Sequence, residues 1–164
     1  PDLEAPAARL AGAAATASAA WAETPGHATL TRHRPLGVIG VLCPEVAPVL
    51  AMASILGPVL AAGNGALLCP GAGANAEAEA LIAALEAAGM PKGLVGIVSG
   101  PRAALACGLA ARVDLDALWC FGAGDLPEDL PARAAATGKA LWLSEDGASE
   151  TWTGPGGASD LFRI

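Results

Sequence analysis

Few side chains in this 164-residue sequence could do chemistry, and they fall in a handful of places. The first is Gly71-Ala72-Gly73-Ala74-Asn75-Ala76, which fits G-x-G-x-x-[GA] between a short apolar run and an Ala/Glu-rich stretch. Glycines in that pattern let a backbone approach a pyrophosphate, and the N–H groups that open a helix receive its negative charge. Gly71, Gly73 and Asn75 are therefore the candidate cofactor-binding residues. The acid that would take ribose hydroxyls, expected about 20 residues further on, has no counterpart at Met90 to Lys92 or at Ser99-Gly100. In a chain this rich in Ala and Gly, the same match also describes a plain strand-to-helix turn.

The other reactive groups point to no reaction. Cys43, Cys69, Cys107 and Cys120 lie far apart in apolar stretches, with no CxxC or Cys/His spacing, so no metal site is expected. They read as buried, reduced thiols, which suits a cytoplasmic protein. No G-x-S-x-G nucleophile turn is present, and His27 and His33 lie in an early extended region as surface residues rather than a catalytic base. Asp125, Glu128 and Asp129 gather where a helix is expected to begin, and favourable contact with the helix dipole explains them. No catalytic residue is expected.

The elements that would position these groups alternate. An Ala-rich helix over Ala5–Ala22 and a half-exposed strand over His27–Arg34 come first. Leu36 to Cys43 is a continuous apolar run that predicts a buried parallel strand, followed by an apolar helix over Pro48–Ala62 and a short strand over Ala66–Cys69. Asn75–Ala88 predicts a helix with Asn75 as N-cap, Glu77 and Glu79 in the first turn, an apolar face at Leu81, Ile82 and Leu85, and a stop at Gly89. Strands over Leu94–Val98, Asp116–Phe121 and Ala140–Leu143 follow, with helices over Pro101–Ala111 and Asp125–Thr137 between them.

This alternation predicts a Rossmann-like, doubly wound α/β fold: a mainly parallel five-stranded sheet with helices on both faces, preceded by an N-terminal helix and an extra strand. The expected divisions are residues 1–34 as helix and extended arm, 35–147 as the α/β domain, and 148–164 as loop or tail. The chain starts at Pro1, which reads as an excised domain.

Composition sets the limits of function. Hydrophobic residues make up 54% and charged residues 15%, about a quarter of the chain is Ala, and the mean hydropathy is +0.50. That excludes intrinsic disorder and predicts unusually apolar faces. The net charge is -7, and the seven Arg and two Lys are scattered singly, so nucleic acid is excluded as a partner. The stretch from Val46 to Ala76 carries no charge, but Pro48, Gly57, Pro58 and Gly63-Asn64-Gly65 divide it, and no Lys or Arg flanks it as a membrane span requires.

Three ordered motifs carry a resemblance. Pro35-Leu36-Gly37-Val38-Ile39-Gly40-Val41, with Pro44 and Pro48, is one. Pro58-Val59-Leu60-Ala61-Ala62-Gly63-Asn64-Gly65-Ala66 is the second. Glu86-Ala87-Ala88-Gly89-Met90-Pro91-Lys92-Gly93-Leu94-Val95, with Ser99-Gly100, is the third. In that order the chain resembles the NAD-binding region of the aldehyde dehydrogenase superfamily, from about Pro35 to Gly147.

The resemblance implies which chemistry is absent. The family's oxyanion-stabilising Asn is matched by Val46, preceded by Glu45, and a valine donates no hydrogen bond. Its cofactor-binding Lys is matched by Cys69, and the Ser and Glu beyond it by Gly71 and Ala72. Cys120-Phe121-Gly122-Ala123 stands for its F-T-G-S turn, with a bulky ring in place of a small polar residue. Ser144-Glu145-Asp146-Gly147 stands near its general-base segment, where Glu145 is one position out of register, and the nucleophilic Cys setting has no counterpart.

Retained motifs with lost chemistry resemble the degenerate C-terminal repeat of family-16 aldehyde dehydrogenases. The resemblance implies a non-catalytic domain for structure and assembly within a longer, cytoplasmic, NAD-dependent enzyme that oxidises aldehydes. The domain itself takes no cofactor, and its partner is the catalytic domain of the same chain or of a dimer mate. The helix over Pro48–Ala62 is expected to cover the sheet on one side and meet that partner on the other. The alternative is a residual NAD(P)-binding module built on Gly71, Gly73 and Asn75.

Overall fold

The structure is a computed structural model that describes residues 34–46, 48–122 and 126–144. The expected N-terminal helix, the strand through His33, and the tail beyond Gly147 lie outside the described residues, as do His27, Asp125 and Glu145.

Among the described residues five strands and four helices alternate: β1 (Val38–Leu42), α1 (Pro48–Ala61), β2 (Gly65–Cys69), α2 (Asn75–Ala87), β3 (Val95–Ile97), α3 (Arg102–Ala111), β4 (Ala117–Phe121), α4 (Leu130–Ala136) and β5 (Ala140–Ser144). All four strand pairs are parallel, in the order β3-β2-β1-β4-β5. The chain therefore winds outward from β1 to β3, crosses back, and completes the sheet with β4 and β5. Near-continuous apolar strands are what such a sheet needs, because both faces are covered.

The two faces have separate cores. Ile39, Val41, Cys43, Ala66, Leu68, Ala117 and Phe121 face α1 and α2. Leu42, Cys69, Leu118 and Cys120 face α3 and α4, through Ala106, Leu109, Ala110 and Leu130. Ala is small enough to bring helices close to the sheet, and Ala106, Ala110 and Ala134 serve this at the buried faces of α3 and α4.

In α1, Ala51 to Gly57 are buried without a break and Val59 is buried beyond them. Seven consecutive residues cover the whole circumference of a helix. The expected second, open apolar face on α1 is thus already covered within this chain. Pro58 sits inside the helix without ending it. The longest charge-free stretch folds as helix, turn and strand, and among the described residues no helix is long and apolar enough to cross a membrane.

Two helix starts differ from expectation. Ala74, not Asn75, takes the N-cap position of α2, with no side-chain cap bond; Asn75 is the first helical residue, and Glu77 is the acid in the first turn. At the other end Gly89 has φ +103, and the Gly89 and Met90 amides donate to the Glu86 and Leu85 carbonyls, the double bond pattern of a glycine-terminated helix. The last helix begins at Leu130 rather than Asp125, because Pro127 closes a turn with the Leu130 amide and Pro131 takes the first helical turn.

Candidate functional site

Open parallel sheets take ligands outside the carboxyl ends of their strands, so chemistry is to be sought there. Leu42 of β1 pairs with Cys69 of β2 on one side and with Cys120 of β4 on the other. The Cys43 amide extends the ladder to the Cys69 carbonyl at 2.9 Å. Three of the four cysteines, widely spaced in sequence, thus meet along one edge of the sheet. Strand pairing does this, and nothing in their spacing announced it.

These thiols are buried at 0–3% exposure. Burial pushes Cys43 up to about 12, with the neighbouring Cys69 adding to the rise and Arg102 opposing it. Burial likewise pushes Cys69 up to about 11 and Cys120 up to about 12, each against the pull of Arg102. Neutral thiols are poor nucleophiles, since the thiolate is the reactive form. Among the described residues no group of three or more His, Cys, Asp or Glu is placed to hold a metal.

The sign of the resulting pH dependence follows from the raised values. Above pH 9 the unfolded chain gives up thiol protons that the folded chain keeps, so the unfolded state is favoured as pH rises. Stability is expected to be level through neutral pH and to fall between about pH 9 and about pH 12. Denaturant titrations at stepped pH measure it, and Cys69→Ala with Cys120→Ala should flatten the decline.

Beside the thiol edge lies a cleft of about 170 Å³ between the ends of β2 and β3. Its walls include Glu45, Cys69, Gly71, Gly73, Asn75, Ser99 and Arg102. The three candidate residues Gly71, Gly73 and Asn75 therefore do come together. Gly73 turns the chain at φ +82, with open space around it. Gly71 is different: a Cβ there would lie 2.9 Å from Glu45 Cα and 3.0 Å from the Pro44 carbonyl oxygen. Its smallness admits the chain's own backbone. Asn75 is exposed at the rim, where its Oδ1 accepts the Ser99 hydroxyl at 2.7 Å.

The remaining candidates are scattered. Val46 is 44% exposed in the bend after β1, outside the cleft. Phe121 does not project over the strand ends; its ring is buried under α1 and meets Trp142 edge-on, with centroids 5.4 Å apart. Glu128 and Asp129 are exposed in the turn before α4. The Arg133 guanidinium holds Asp129 below the ordinary carboxylate range through a 2.7 Å hydrogen bond. Such an exposed pair is a surface contact of little energetic weight.

Arg102 belongs to this edge although no motif marks it. It opens α3, and its guanidinium reaches across the sheet edge. Nη1 donates to the Cys43 carbonyl at 2.7 Å, and Nη2 to the Phe121 and Gly122 carbonyls at 2.5 and 2.7 Å. One signal was available. A cation in the first turn of a helix opposes the dipole, and α3 carries no acid there to offset it. An arginine so placed gains more from acceptors elsewhere than from its own helix end.

Comparison with known proteins gives this chain relatives. The sequence model described as the aldehyde dehydrogenase family matches residues 5–152. Alpha-ketoglutaric semialdehyde dehydrogenase of Bacillus subtilis is 30% identical over 117 residues, covering 71% of this chain and 24% of that protein. Cytosolic aldehyde dehydrogenase 1 of Elephantulus edwardii is 30% identical over 105 residues, or 64% of this chain and 21% of that one. Among solved structures, an indole-3-acetaldehyde dehydrogenase in apo form superposes with a TM-score of 0.74 at 24% identity, covering 87% of this chain and 35% of its own. The NAD+ complex of an aldehyde dehydrogenase from Bacillus cereus also gives 0.74, at 22% identity, covering 87% and 30%. The chain thus spans between a fifth and a quarter of the length of these curated relatives.

Proposed function

The chain belongs to the aldehyde dehydrogenase family, and from that premise we propose that it is a non-catalytic domain serving the structure and assembly of a larger NAD-dependent aldehyde dehydrogenase. Its partner is the catalytic domain of the same longer chain or of a dimer mate, and its setting is the cytoplasm. The degenerate repeat of family-16 aldehyde dehydrogenases is the arrangement it resembles.

One observation carries this reading. The strand ends where the fold places its chemistry carry Cys43, Cys69 and Cys120, all buried at 3% exposure or less. None of them offers a charge, a nucleophile or an oxyanion donor. The residues present do not fit a dinucleotide either. The cleft holds about 170 Å³, against roughly 300–1,000 Å³ for ordinary small-molecule sites. Its glycine turn is filled at Gly71 by the Pro44–Glu45 backbone. Cys69 replaces a cation with a neutral thiol. Because α1 is covered within the chain, the surface that meets the partner lies elsewhere.

A second reading, a residual NAD(P)-binding module, is favoured by the convergence of Gly71, Gly73, Asn75 and Ser99 on one wall. Calorimetric titration with NAD separates the two. No heat at millimolar cofactor, no NADH formed from short aldehydes, and a stable complex with the catalytic part in light scattering are expected. A monomer indifferent to the catalytic part would sink the assembly reading. Saturable heat would favour the second.

A further inference from the structure

The sheet order makes β1 and β4 neighbours whose connections leave in opposite directions. The crevice outside their carboxyl ends is where an open α/β sheet admits a ligand. In this chain Arg102 bridges that crevice. It bonds the Cys43 carbonyl, just past β1, and the Phe121 and Gly122 carbonyls at the end of β4. Those three oxygens are acceptors only, and a planar guanidinium with five donors is the side chain that can serve them together. A phosphate brought to the same three carbonyls would meet negative dipoles.

We propose that Arg102 is the built-in occupant of the crevice, a guanidinium plug tying β1 to β4, and that the position it fills is selective for a planar cation and closed to phosphate-bearing ligands. Two features support this beyond the hydrogen bonds. The side chain is half-buried although it stands at the exposed start of a helix, with its charge opposed to the helix dipole. It also lies close enough to Cys43, Cys69 and Cys120 to act on all three thiols, so it sits over the middle of the strand edge rather than out in solvent. The inference holds whether or not the chain assembles with a catalytic unit.

The test uses the full chain and Arg102→Ala. Removing the plug should lower the Tm and raise the rate at which a thiol reagent labels Cys43, Cys69 and Cys120 by about tenfold, because labelling follows local opening of the strand ends. Guanidinium chloride at low millimolar concentration should restore most of both losses. Urea and sodium chloride at the same concentration should not. NAD and inorganic phosphate should shift the Tm of neither protein. Equal labelling of the two proteins, or no rescue by guanidinium, overturns the proposal, and so does a Tm shift of the unmodified chain by NAD. If Arg102→Ala does not fold, Arg102→Lys serves: it keeps the charge but not the planar fork, so its labelling should rise, and labelling like the unmodified chain's counts against the plug. Failure here leaves the assembly reading standing, because light scattering with the catalytic part does not depend on Arg102.

Discussion

Replacing Phe121 by threonine, the residue type its family pattern places there, should unfold the chain more readily rather than restore any chemistry. The ring is 1% exposed and lies among Cys43, Met52 and Val41 on the α1 face of the sheet. It meets Trp142 at 5.4 Å and 70°, and Trp142 meets Trp119 at 5.4 Å and 83°. Phe121→Thr removes most of that volume and buries a hydroxyl in its place. Large-to-small changes of buried Phe cost about 3–5 kcal/mol. For a domain of this size that corresponds to a Tm lower by roughly 10–15 °C. Urea denaturation followed by tryptophan fluorescence measures it directly, because two indoles adjoin the site. A loss under about 1 kcal/mol would mean that the ring does not hold the sheet to α1.

On the proposed reading Phe121 is part of the scaffold, a buried contact between the sheet and α1. Cys69 and Cys120 fill the α3 face beside Leu42 in the same way. Polar residues placed singly at these buried positions should therefore cost stability without adding function.

The fold was legible because its signals are local. Each strand is a short apolar run bounded by Gly, Pro or Asp, and the end of α2 is written in Gly89 and Pro91. The starts of α2 and α4 were less legible. Asn75 is a good cap by type, but its amide oxygen is claimed by Ser99, a residue 24 positions away that no local pattern can reveal. The acids before α4 promised a helix start, whereas the two prolines around them decided it. The site divides the same way. The glycine turn showed itself by motif, but Arg102 and the thiol edge exist only through strand order. Partners 19 to 59 residues away in sequence hold that guanidinium.

Gly37→Ala should be strongly disruptive, with an expected loss of about 3 kcal/mol. Gly37 has φ +127, a conformation side chains rarely adopt, and an added Cβ would fall 2.0 Å from Asp116 Oδ2. That carboxylate has its own task. It accepts the Val38 amide at 2.8 Å, while the Gly37 amide donates to Asn64 Oδ1 at 3.0 Å and the Gly37 carbonyl accepts the Gly65 amide at 2.9 Å. The start of β1 is thereby fastened to the start of β2 and of β4, the two strands it pairs with. Backbone strain alone costs about 1–3 kcal/mol, and displacing the solvent-exposed carboxylate from the Val38 amide adds about 1 kcal/mol. A double-mutant cycle separates the two. Asp116→Ala removes the obstruction but not the strain, so Gly37→Ala combined with Asp116→Ala should cost less than the sum of the single changes by about 1 kcal/mol or more. Strict additivity would mean that the methyl and the carboxylate never meet. The glycine of Pro35-Leu36-Gly37-Val38 would then owe its place to backbone conformation alone, and not to the carboxylate that closes over it.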